Sequence, residues 1–291
     1  MAARIIDGAA MAAEVRAEIA QRVAAFVAGG RPRPKLVAVL VGDDPGSQSY
    51  VASKTRGCAE AGMDSDTIRL PADTSHERVL AEVQRLNADP SCTGILVQLP
   101  LPPQVDEPVI VRAIDPRKDV DGLHPYNLGL LMMGHLYTVP ATPLGVQAML
   151  RRSGIEVGGT RVVIVGRSML VGRPLSVLLS QKAEGANATV TLAHTGTRDL
   201  GAVTREAEIL IVAAGRSGTV DASMVRPGAV VIDVGVNRIA DASRKSGSRL
   251  VGDVDFAAVS EVASAITPVP GGVGPMTVAM VIANTLRAAG G

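Results

Sequence analysis

Three side chains with polar or reactive ends, those of Ser47, Tyr50 and Lys54, follow one another at the spacing i, i+3 and i+7. Residues at this spacing share one face of an α-helix. A lysine withdrawn from water loses its proton more easily than a solvated one, and it can then act as a base or a proton shuttle. The spacing therefore suggests a helix face for proton chemistry, although a single lysine is more often merely solvated.

Polar residues elsewhere strengthen the hypothesis for Lys54. Gln98 lies at the end of the apolar run 94–99, beside a proline-rich turn, and Asp119 and Asp121 flank Val120 in a later loop. An amide or a carboxylate at such a position can orient a lysine or a substrate by hydrogen bonding.

Alternating apolar runs and amphipathic segments must position these residues. This alternation is typical of βαβ units with a parallel sheet, in which ligands bind outside the carboxyl ends of the strands. The first half of the chain predicts strands at 35–41, 67–70 and 94–99 and helices at 11–26, 47–61 and 79–86. Gln98 and the loop after Val41 would both lie at the carboxyl edge.

The second half repeats the rhythm after a segment, 115–143, that we interpret as mostly connector. Thr142 is the expected N-cap of the next helix, with Pro143 at its first position. The later elements are predicted as strands at 161–165, 189–193, 208–212 and 229–234, and helices at 174–182 and 276–286. We expect an α/β fold of two βαβ domains, the second a Rossmann-type parallel-sheet domain. The first domain would be 1–140, completed by the C-terminal helix at about 273–291, and the second would be 141–272.

A glycine turn between two predicted strands of the second domain is the candidate nucleotide site. Gly166 permits a tight turn, and the start of the following helix offers unpaired N–H groups to a phosphate. The turn lacks the full GxGxxG pattern, so a purely structural turn with solvated arginines is the alternative. The next strand ends at 193–196 without an acid for a ribose hydroxyl, while Arg167 and Arg173 suit a 2′-phosphate, which favours NADP over NAD.

Composition excludes several classes of protein. The 291 residues are 47% hydrophobic and 2% aromatic, with a net charge of +1, which disfavours a nucleic-acid binder. No apolar run reaches the roughly 18 residues of a membrane helix, and Asp7 interrupts the apolar start, against a signal peptide. Cys58 and Cys92 form no disulfide framework, so we expect a cytoplasmic protein. The histidines show no paired spacing, so no metal site is expected.

Five long motifs follow one another along the chain. They are SQSYVASK at 47–54, GILVQLPLP at 94–102, KDVDGLHPYNLG at 118–129, TPLG at 142–145 with VGRSMLVGRP at 165–174, and PGGVGPMT at 270–277. Together they resemble the motifs of the bifunctional methylenetetrahydrofolate dehydrogenase/methenyltetrahydrofolate cyclohydrolase family, and the resemblance covers essentially the whole chain. Thr195 stands where many members carry serine.

The resemblance implies a homodimeric enzyme of one-carbon metabolism, tetrahydrofolate interconversion and purine biosynthesis, with its active site in a cleft between the two domains. It would oxidise methylenetetrahydrofolate with NADP and hydrolyse the methenyl product to 10-formyltetrahydrofolate. The implied catalytic residues are Tyr50, Lys54, Gln98 and Asp121. Tyr50, Gln98 and Asp121 would also bind substrate, together with Pro100, Pro270 and Gly271. The implied NADP ligands are Gly166, Arg167, Ser168, Thr195 and Ile232.

Two alternatives belong to other classes. A short-chain dehydrogenase shares the spacing of Tyr50 and Lys54, but in that family the glycine turn comes first, whereas here Gly166 follows much later. A catalytically silent NADP-binding or scaffold protein would be favoured by loss of Lys54 or Asp121, and both are present.

Overall fold

The fold was analysed in a computed structural model that describes residues 2–244 and 247–291. The chain divides into two compact units. The first unit contains residues 12–141 and 278–291, and the second contains residues 2–11, 142–244 and 247–277. Residues 2–11, which the expected boundaries assign to the first domain, thus lie in the second unit.

The strands, in chain order, are β1 (Arg4–Ile5), β2 (Lys35–Val41), β3 (Asp64–Leu70), β4 (Gly94–Val97), β5 (Arg161–Val165), β6 (Thr189–Ala193), β7 (Ile209–Val212), β8 (Val230–Asp233), β9 (Asn237–Ala240), β10 (Ser248–Val251) and β11 (Ala265–Ile266). The helices are α1 (Gly8–Ala28), α2 (Pro45–Glu60), α3 (His76–Ala88), α4 (Glu107–Ala113), α5 (Pro125–Met132), α6 (Ala141–Arg152), α7 (Gly172–Ser180), α8 (Leu200–Thr204), α9 (Phe256–Ser260) and α10 (Val273–Ala288).

The first unit is built on a parallel sheet with the strand order β3-β2-β4. Strand β2 is buried from Leu36 to Val41, as expected for a central parallel strand covered on both faces. Its valines pack with Val79 and Val83 of α3 and with Ile95 of β4 in one apolar cluster. The predicted alternation of strands and helices is therefore the alternation that the structure has.

The second unit is built on a parallel sheet with the strand order β6-β5-β7-β8-β11-β1. Strand β5 pairs with β6 on one side and with β7 on the other, so the strand order reverses between β5 and β7. Open α/β sheets bind ligands at this type of switch point, outside the carboxyl ends of the strands. The predicted α/β class and the Rossmann-type parallel sheet are confirmed.

A separate antiparallel ribbon in the second unit pairs β9 with β10, and the sequence patterns above did not predict it. Exposed and half-buried residues alternate along β9, so the ribbon has no fully buried face. Apolar content alone therefore gave no strand signal here.

The segment 115–143 differs from its prediction in two features. Most of the segment 115–143 lies outside helices and strands, but it contains α5, which was not predicted. Pro125 opens this helix, and the His124 side chain caps it by accepting from Tyr126 N. Proline and glycine were read there as loop residues, but proline at the first helical position is compatible with a helix. Helix α6 begins at Ala141, so Thr142 lies inside its first turn and is not its N-cap.

A buried asparagine ties α10 to the first unit. Asn284 Nδ2 donates to the carbonyl oxygens of Val120 and Val139, at 2.9 and 3.0 Å. Both bonds are buried, so the asparagine satisfies two main-chain acceptors that water cannot reach.

We expect Asn284→Ala to lower the free energy of unfolding by about 1–3 kcal/mol, because it leaves buried carbonyl groups without a donor. The measurement is the denaturant midpoint of the purified chain. As a control, Gln84→Ala changes an exposed residue of α3 and should alter stability by less than about 0.5 kcal/mol. Equal midpoints for the two variants would contradict the role of Asn284.

Candidate active site

Lys54 lies on α2 with only 5% of its surface exposed. Its Nζ donates to Gln98 Oε1 at 3.0 Å. Burial lowers the pKa of Lys54, and the charge of Asp121 opposes that shift. The structure therefore brings together three of the predicted site residues and gives the lysine the environment of a proton-handling group.

The Gln98 side chain is fixed in one orientation. Its Nε2 donates to the carbonyl oxygen of Leu99 at 2.7 Å, and a carbonyl can only accept. The amide oxygen must therefore point to Lys54. Gln98 N also donates to the carbonyl oxygen of Val39 at 2.9 Å, which ties the residue to the end of the sheet.

Helix α2 starts immediately beyond the carboxyl end of β2. Asp44 caps it by accepting from Ser47 N at 2.7 Å, and Pro45 occupies the first helical position. Both features are favourable at a helix N-terminus. This start places Tyr50 and Lys54 in the following turns, near the edge at which Gln98 lies. Tyr50 is half-buried, and burial raises the pKa of its phenol.

Asp121 is half-buried and interacts electrostatically with Lys54. Burial raises the pKa of its carboxyl group, while the charge of Lys54 lowers it and that of Asp119 raises it. The amine and the carboxyl group thus each favour the charged form of the other in a place where burial disfavours both charges.

Asp119 shapes the loop that carries Asp121. It is 2% exposed, and its carboxylate accepts from the main-chain N–H groups of Gly122, Leu123 and His124 at 3.0, 3.3 and 2.8 Å. Asn127 Nδ2 donates to it as well, at 2.8 Å. The motifs assign Asp119 no such role, although an aspartate that closes a turn before a glycine is a known turn signal.

The main chain before Asp121 also extends the sheet. Ile95 N donates to the carbonyl oxygen of Lys118 at 2.8 Å, and Ile95 and Asp119 form a parallel bridge. The loop is therefore anchored to β4 on one side and held by the Asp119 carboxylate on the other.

Three further predicted substrate-binding residues, Pro100, Pro270 and Gly271, lie in turns next to regular elements. Pro100 is exposed in the turn that follows Gln98. In the second unit, Pro270 is exposed and Gly271 is half-buried just before α10. The carbonyl oxygen of Gly271 accepts from Ala9 N at 2.9 Å.

The glycine turn follows β5 at the switch point of the second sheet. Gly166 has φ +124°, and a Cβ atom built on it would lie 2.1 Å from the carbonyl oxygen of Ala213. Ser168 Oγ accepts from Val171 N at 3.2 Å, and the Ser168 carbonyl accepts from Arg173 N at 3.1 Å, which closes the turn before α7. A turn with this shape, ahead of a helix N-terminus, fits a dinucleotide phosphate.

The other predicted NADP ligands lie along the same edge. Arg167 and Thr195 are exposed, in the turns after β5 and β6. His194 Nδ1 accepts from Gly196 N at 3.0 Å, so the turn after β6 is closed without an acidic side chain. Ile232 is fully buried in β8, main chain included, so the structure does not expose this predicted ligand at the edge of the sheet.

Matches to two family models cover most of the chain. The catalytic-domain model of tetrahydrofolate dehydrogenase/cyclohydrolase matches residues 6–121, and the NAD(P)-binding-domain model of the same enzymes matches residues 140–290. The chain belongs to this family. The resemblance drawn from the five motifs is therefore confirmed.

Relatives of known name and structure agree with the family assignment. The chain is 55% identical to the bifunctional protein FolD 1 of Myxococcus xanthus over 288 residues, covering 99% of this chain and 98% of the relative. Its fold matches that of the bifunctional FolD methylenetetrahydrofolate dehydrogenase/cyclohydrolase of Campylobacter jejuni, with 42% identity, 99% coverage of each chain and a TM-score of 0.92. The Trypanosoma brucei FolD structure, complexed with NADP cofactor and inhibitor, matches at 40% identity and a TM-score of 0.94, covering 100% of this chain and 98% of that one.

The described residues were compared with the requirements of a metal site and of a membrane-spanning helix, and they meet neither. In residues 2–244 and 247–291, no group of three or more His, Cys, Asp or Glu side chains could hold a metal ion. Within the same part of the chain, no helix has both the length and the apolar character for crossing a membrane.

We expect Asp121→Asn to lower the pKa of Lys54 further, because the variant removes the negative charge that opposes the effect of burial. The pKa can be followed by NMR of the lysine side chains during a pH titration. Asp115→Asn is the matched control, since the Asp115 carboxylate pairs with Arg117 and should leave the pKa of Lys54 in place. A rise of the Lys54 pKa in Asp121→Asn would contradict the electrostatic coupling.

Proposed function

We propose that this protein is a bifunctional one-carbon folate enzyme. It oxidises 5,10-methylenetetrahydrofolate to 5,10-methenyltetrahydrofolate with NADP, and it hydrolyses the product to 10-formyltetrahydrofolate. The observation that carries the proposal is the buried Lys54, which is hydrogen-bonded to Gln98 and coupled to Asp121 in a chain of this family.

The proposed division of labour follows the two halves of the chain. Residues 1–140, completed by the C-terminal helix at about 273–291, would bind the folate, and residues 141–272 would bind NADP. The position of Lys54 in the first half and of the glycine turn in the second supports this division.

The oxidation step needs positioning more than acid–base catalysis. The hydride leaves a carbon held between two nitrogens, whose lone pairs stabilise the cation that forms. NADP, when bound, supplies the hydride acceptor. Gly166, Arg167, Ser168 and Thr195 are the residues that would hold it, and the close approach of Gly166 to Ala213 supports the fit of a dinucleotide at this turn.

NADP is proposed rather than NAD for two reasons. The turn after β6, at 193–196, offers no acid to a ribose 2′-hydroxyl, and Arg167 is exposed beside it to receive a 2′-phosphate. The FolD of Trypanosoma brucei, which shares this fold, is described with NADP bound.

The hydrolysis step needs proton transfer, and Lys54 is the proposed carrier. Water adds to the cationic carbon and gives one proton to the neutral amine of Lys54, whose lowered pKa makes that form accessible. The bond from this carbon to the ring nitrogen then breaks as Lys54 returns its proton to the nitrogen. The hydroxyl proton goes to solvent and leaves the formyl group. Gln98 holds the amine in place throughout.

Three further roles concern the folate. Asp121 would accept hydrogen bonds from the amino and ring N–H groups of the pterin, since a carboxylate offers two acceptor oxygens. Tyr50, one turn before Lys54, would stack on the flat part of the substrate. Pro100, Pro270 and Gly271 would complete the binding site.

We also propose that the protein acts as a homodimer in the cytoplasm, without a nucleic-acid or membrane partner. The free, buried thiols of Cys58 and Cys92 are consistent with a reducing compartment. Sedimentation at several concentrations tests the oligomeric state, and a single monomeric species would contradict it.

One assay tests the main proposal. Methylenetetrahydrofolate and NADP are mixed with the protein, and formation and decay of the methenyl absorbance are followed together with NADPH. Appearance of NADPH followed by loss of the methenyl signal supports both activities. NADP binding without folate-dependent turnover would instead favour a silent binding protein.

We expect Lys54→Met to lower the hydrolysis rate by about 10²–10⁴-fold, because a positioned acid–base group is worth that much. The oxidation should fall less, since it moves no proton on the reacting nitrogens. Both rates are measured on one preparation whose thermal melt matches the parent. Lys182→Met changes an exposed lysine and should leave both rates unchanged. Hydrolysis at near-parent rates beside a collapsed oxidation would refute the role of Lys54.

We expect Arg167→Ala to raise the KM for NADP by about 10-fold or more, the value of a hydrogen bond to a charged group, and to leave the KM for NAD nearly unchanged. The kcat/KM values for the two dinucleotides give the comparison. Arg226→Ala, at another exposed arginine of the second unit, is the control. Equal kcat/KM for NADP and NAD in the parent protein would contradict the proposed preference.

A further inference from the structure

Two buried aspartates of the second unit, Asp233 and Asp253, have no part in the site described so far. They are 3% and 0% exposed. Asp233 ends β8, and Asp253 lies just beyond β10. Burial raises the pKa of Asp233 to about 6, although three main-chain N–H groups favour its charged form. Burial costs a carboxylate its hydration, so a pair of buried aspartates is better explained by what it positions than by a gain in stability.

Asp253 holds both ends of one loop. Its Oδ2 accepts from the main-chain N–H groups of Ala214 and Gly215 at 2.6 and 2.8 Å, where the loop leaves β7. Its main-chain carbonyl oxygen accepts from Thr219 N and Val220 N at 2.8 and 3.3 Å, where the loop ends. The residues between these anchor points are exposed. A single residue therefore sets the course of the loop 214–220.

Asp233 fixes Asp253 in turn. The Asp233 carboxylate accepts from Asp253 N and Val254 N, both at 3.0 Å. A Cβ atom built on Gly252 would lie 1.7 Å from Asp233 Oδ2, and one built on Gly235 would lie 2.2 Å from Asp253 Cγ. Each carboxylate thus occupies the space beside a glycine that no side chain could share, and the pair is locked in one arrangement.

The loop that Asp253 holds forms one wall of the switch point. Ala213, immediately before the anchored N–H groups, donates to the carbonyl oxygen of Val165 at 2.7 Å. Its own carbonyl oxygen is the atom that a Cβ on Gly166 would meet at 2.1 Å. The glycine turn therefore rests against the loop, and the loop's position limits the shape that the turn can take.

We infer that Asp253 is a positioning residue for the dinucleotide: by anchoring Ala214 and Gly215, it holds the Ala213 carbonyl against Gly166 and so keeps the glycine turn in its binding shape. The inference rests on the proposed binding of NADP by the second unit. Asp253 does not itself contact the cofactor, so its loss acts through the loop.

Asp253→Asn is the main variant. Asparagine keeps one carbonyl oxygen, but its NH₂ group must face either the N–H groups of Ala214 and Gly215 or Asn237 Nδ2, which now donates to Asp253 Oδ1 at 2.8 Å. The dissociation constant for NADP, measured by calorimetry, should rise by about 10-fold, the value of one hydrogen bond to a charged group. Hydrolysis of methenyltetrahydrofolate consumes no dinucleotide, so its kcat/KM should stay within about two-fold of the parent value.

Two further variants separate positioning from general damage. Asp255→Asn, two residues away from Asp253, changes the carboxylate that caps α9 by accepting from Ala258 N, and it should leave the dissociation constant unchanged. If Asp253→Asn does not fold, Asn237→Ala removes the donor to Asp253 Oδ1 and to the Gly252 carbonyl oxygen, and it should weaken NADP binding by about three-fold.

Several outcomes overturn the inference. An unchanged NADP dissociation constant in folded Asp253→Asn does so, as does an equal loss of hydrolysis and NADP binding. If Asn237→Ala is used instead, an unchanged dissociation constant for NADP also overturns the inference. A parent protein that binds no NADP at all would instead refute the proposed function together with the inference.

Discussion

An amine buried away from water needs an acceptor, and in the first unit Gln98 provides it for Lys54. The surrounding architecture keeps this one contact in place. Asp44 fixes the start of the helix that carries the lysine, and the Leu99 carbonyl fixes the amide that faces it. Burial lowers the pKa of Lys54, and the negative charge of Asp121 limits the size of that shift. The balance between these two effects is what a group that both takes and returns a proton requires.

In both units, buried aspartates hold loops in place by accepting hydrogen bonds from main-chain N–H groups. The Asp119 carboxylate accepts from N–H groups of the loop that carries Asp121, and the Asp253 carboxylate accepts from N–H groups of the loop beside Gly166. Main-chain N–H groups in tight loops have no strand or helix partner, so a carboxylate that accepts several of them makes an irregular segment rigid. In this protein the rigid segments lie next to the residues proposed to bind substrate and cofactor.

Much of the fold was predictable because the apolar residues are distributed with clear periods. The strands 35–41 and 161–165 have the bounds predicted, since parallel strands covered on both faces read as continuous apolar runs. The strand 189–193 also has the bounds predicted, although it lies at the edge of its sheet and is mostly exposed or half-buried. The predicted elements differ from the structure where one sequence pattern is compatible with two kinds of structure. Proline and glycine in 125–132 suggested a loop but form a helix, and the half-exposed ribbon of β9 and β10 shows no apolar run. Residues 2–11 carry no signal for which sheet they join, because a two-residue strand is too short for a period.

The sequence by itself determined the α/β class, the family, and the residues Tyr50, Lys54, Gln98 and Asp121 as site candidates, because residue type and spacing along a helix or at a strand end are local properties. Only the tertiary structure decided that Lys54 is buried and that Gln98 presents its amide oxygen to the amine. It also decided that Asp119, Asp233 and Asp253 are buried and hold nearby segments by accepting main-chain hydrogen bonds. An aspartate in a loop looks the same in sequence whether it is solvated or accepts several N–H groups. Its burial depends on which distant segments, such as 214–215 and 253, the fold brings together.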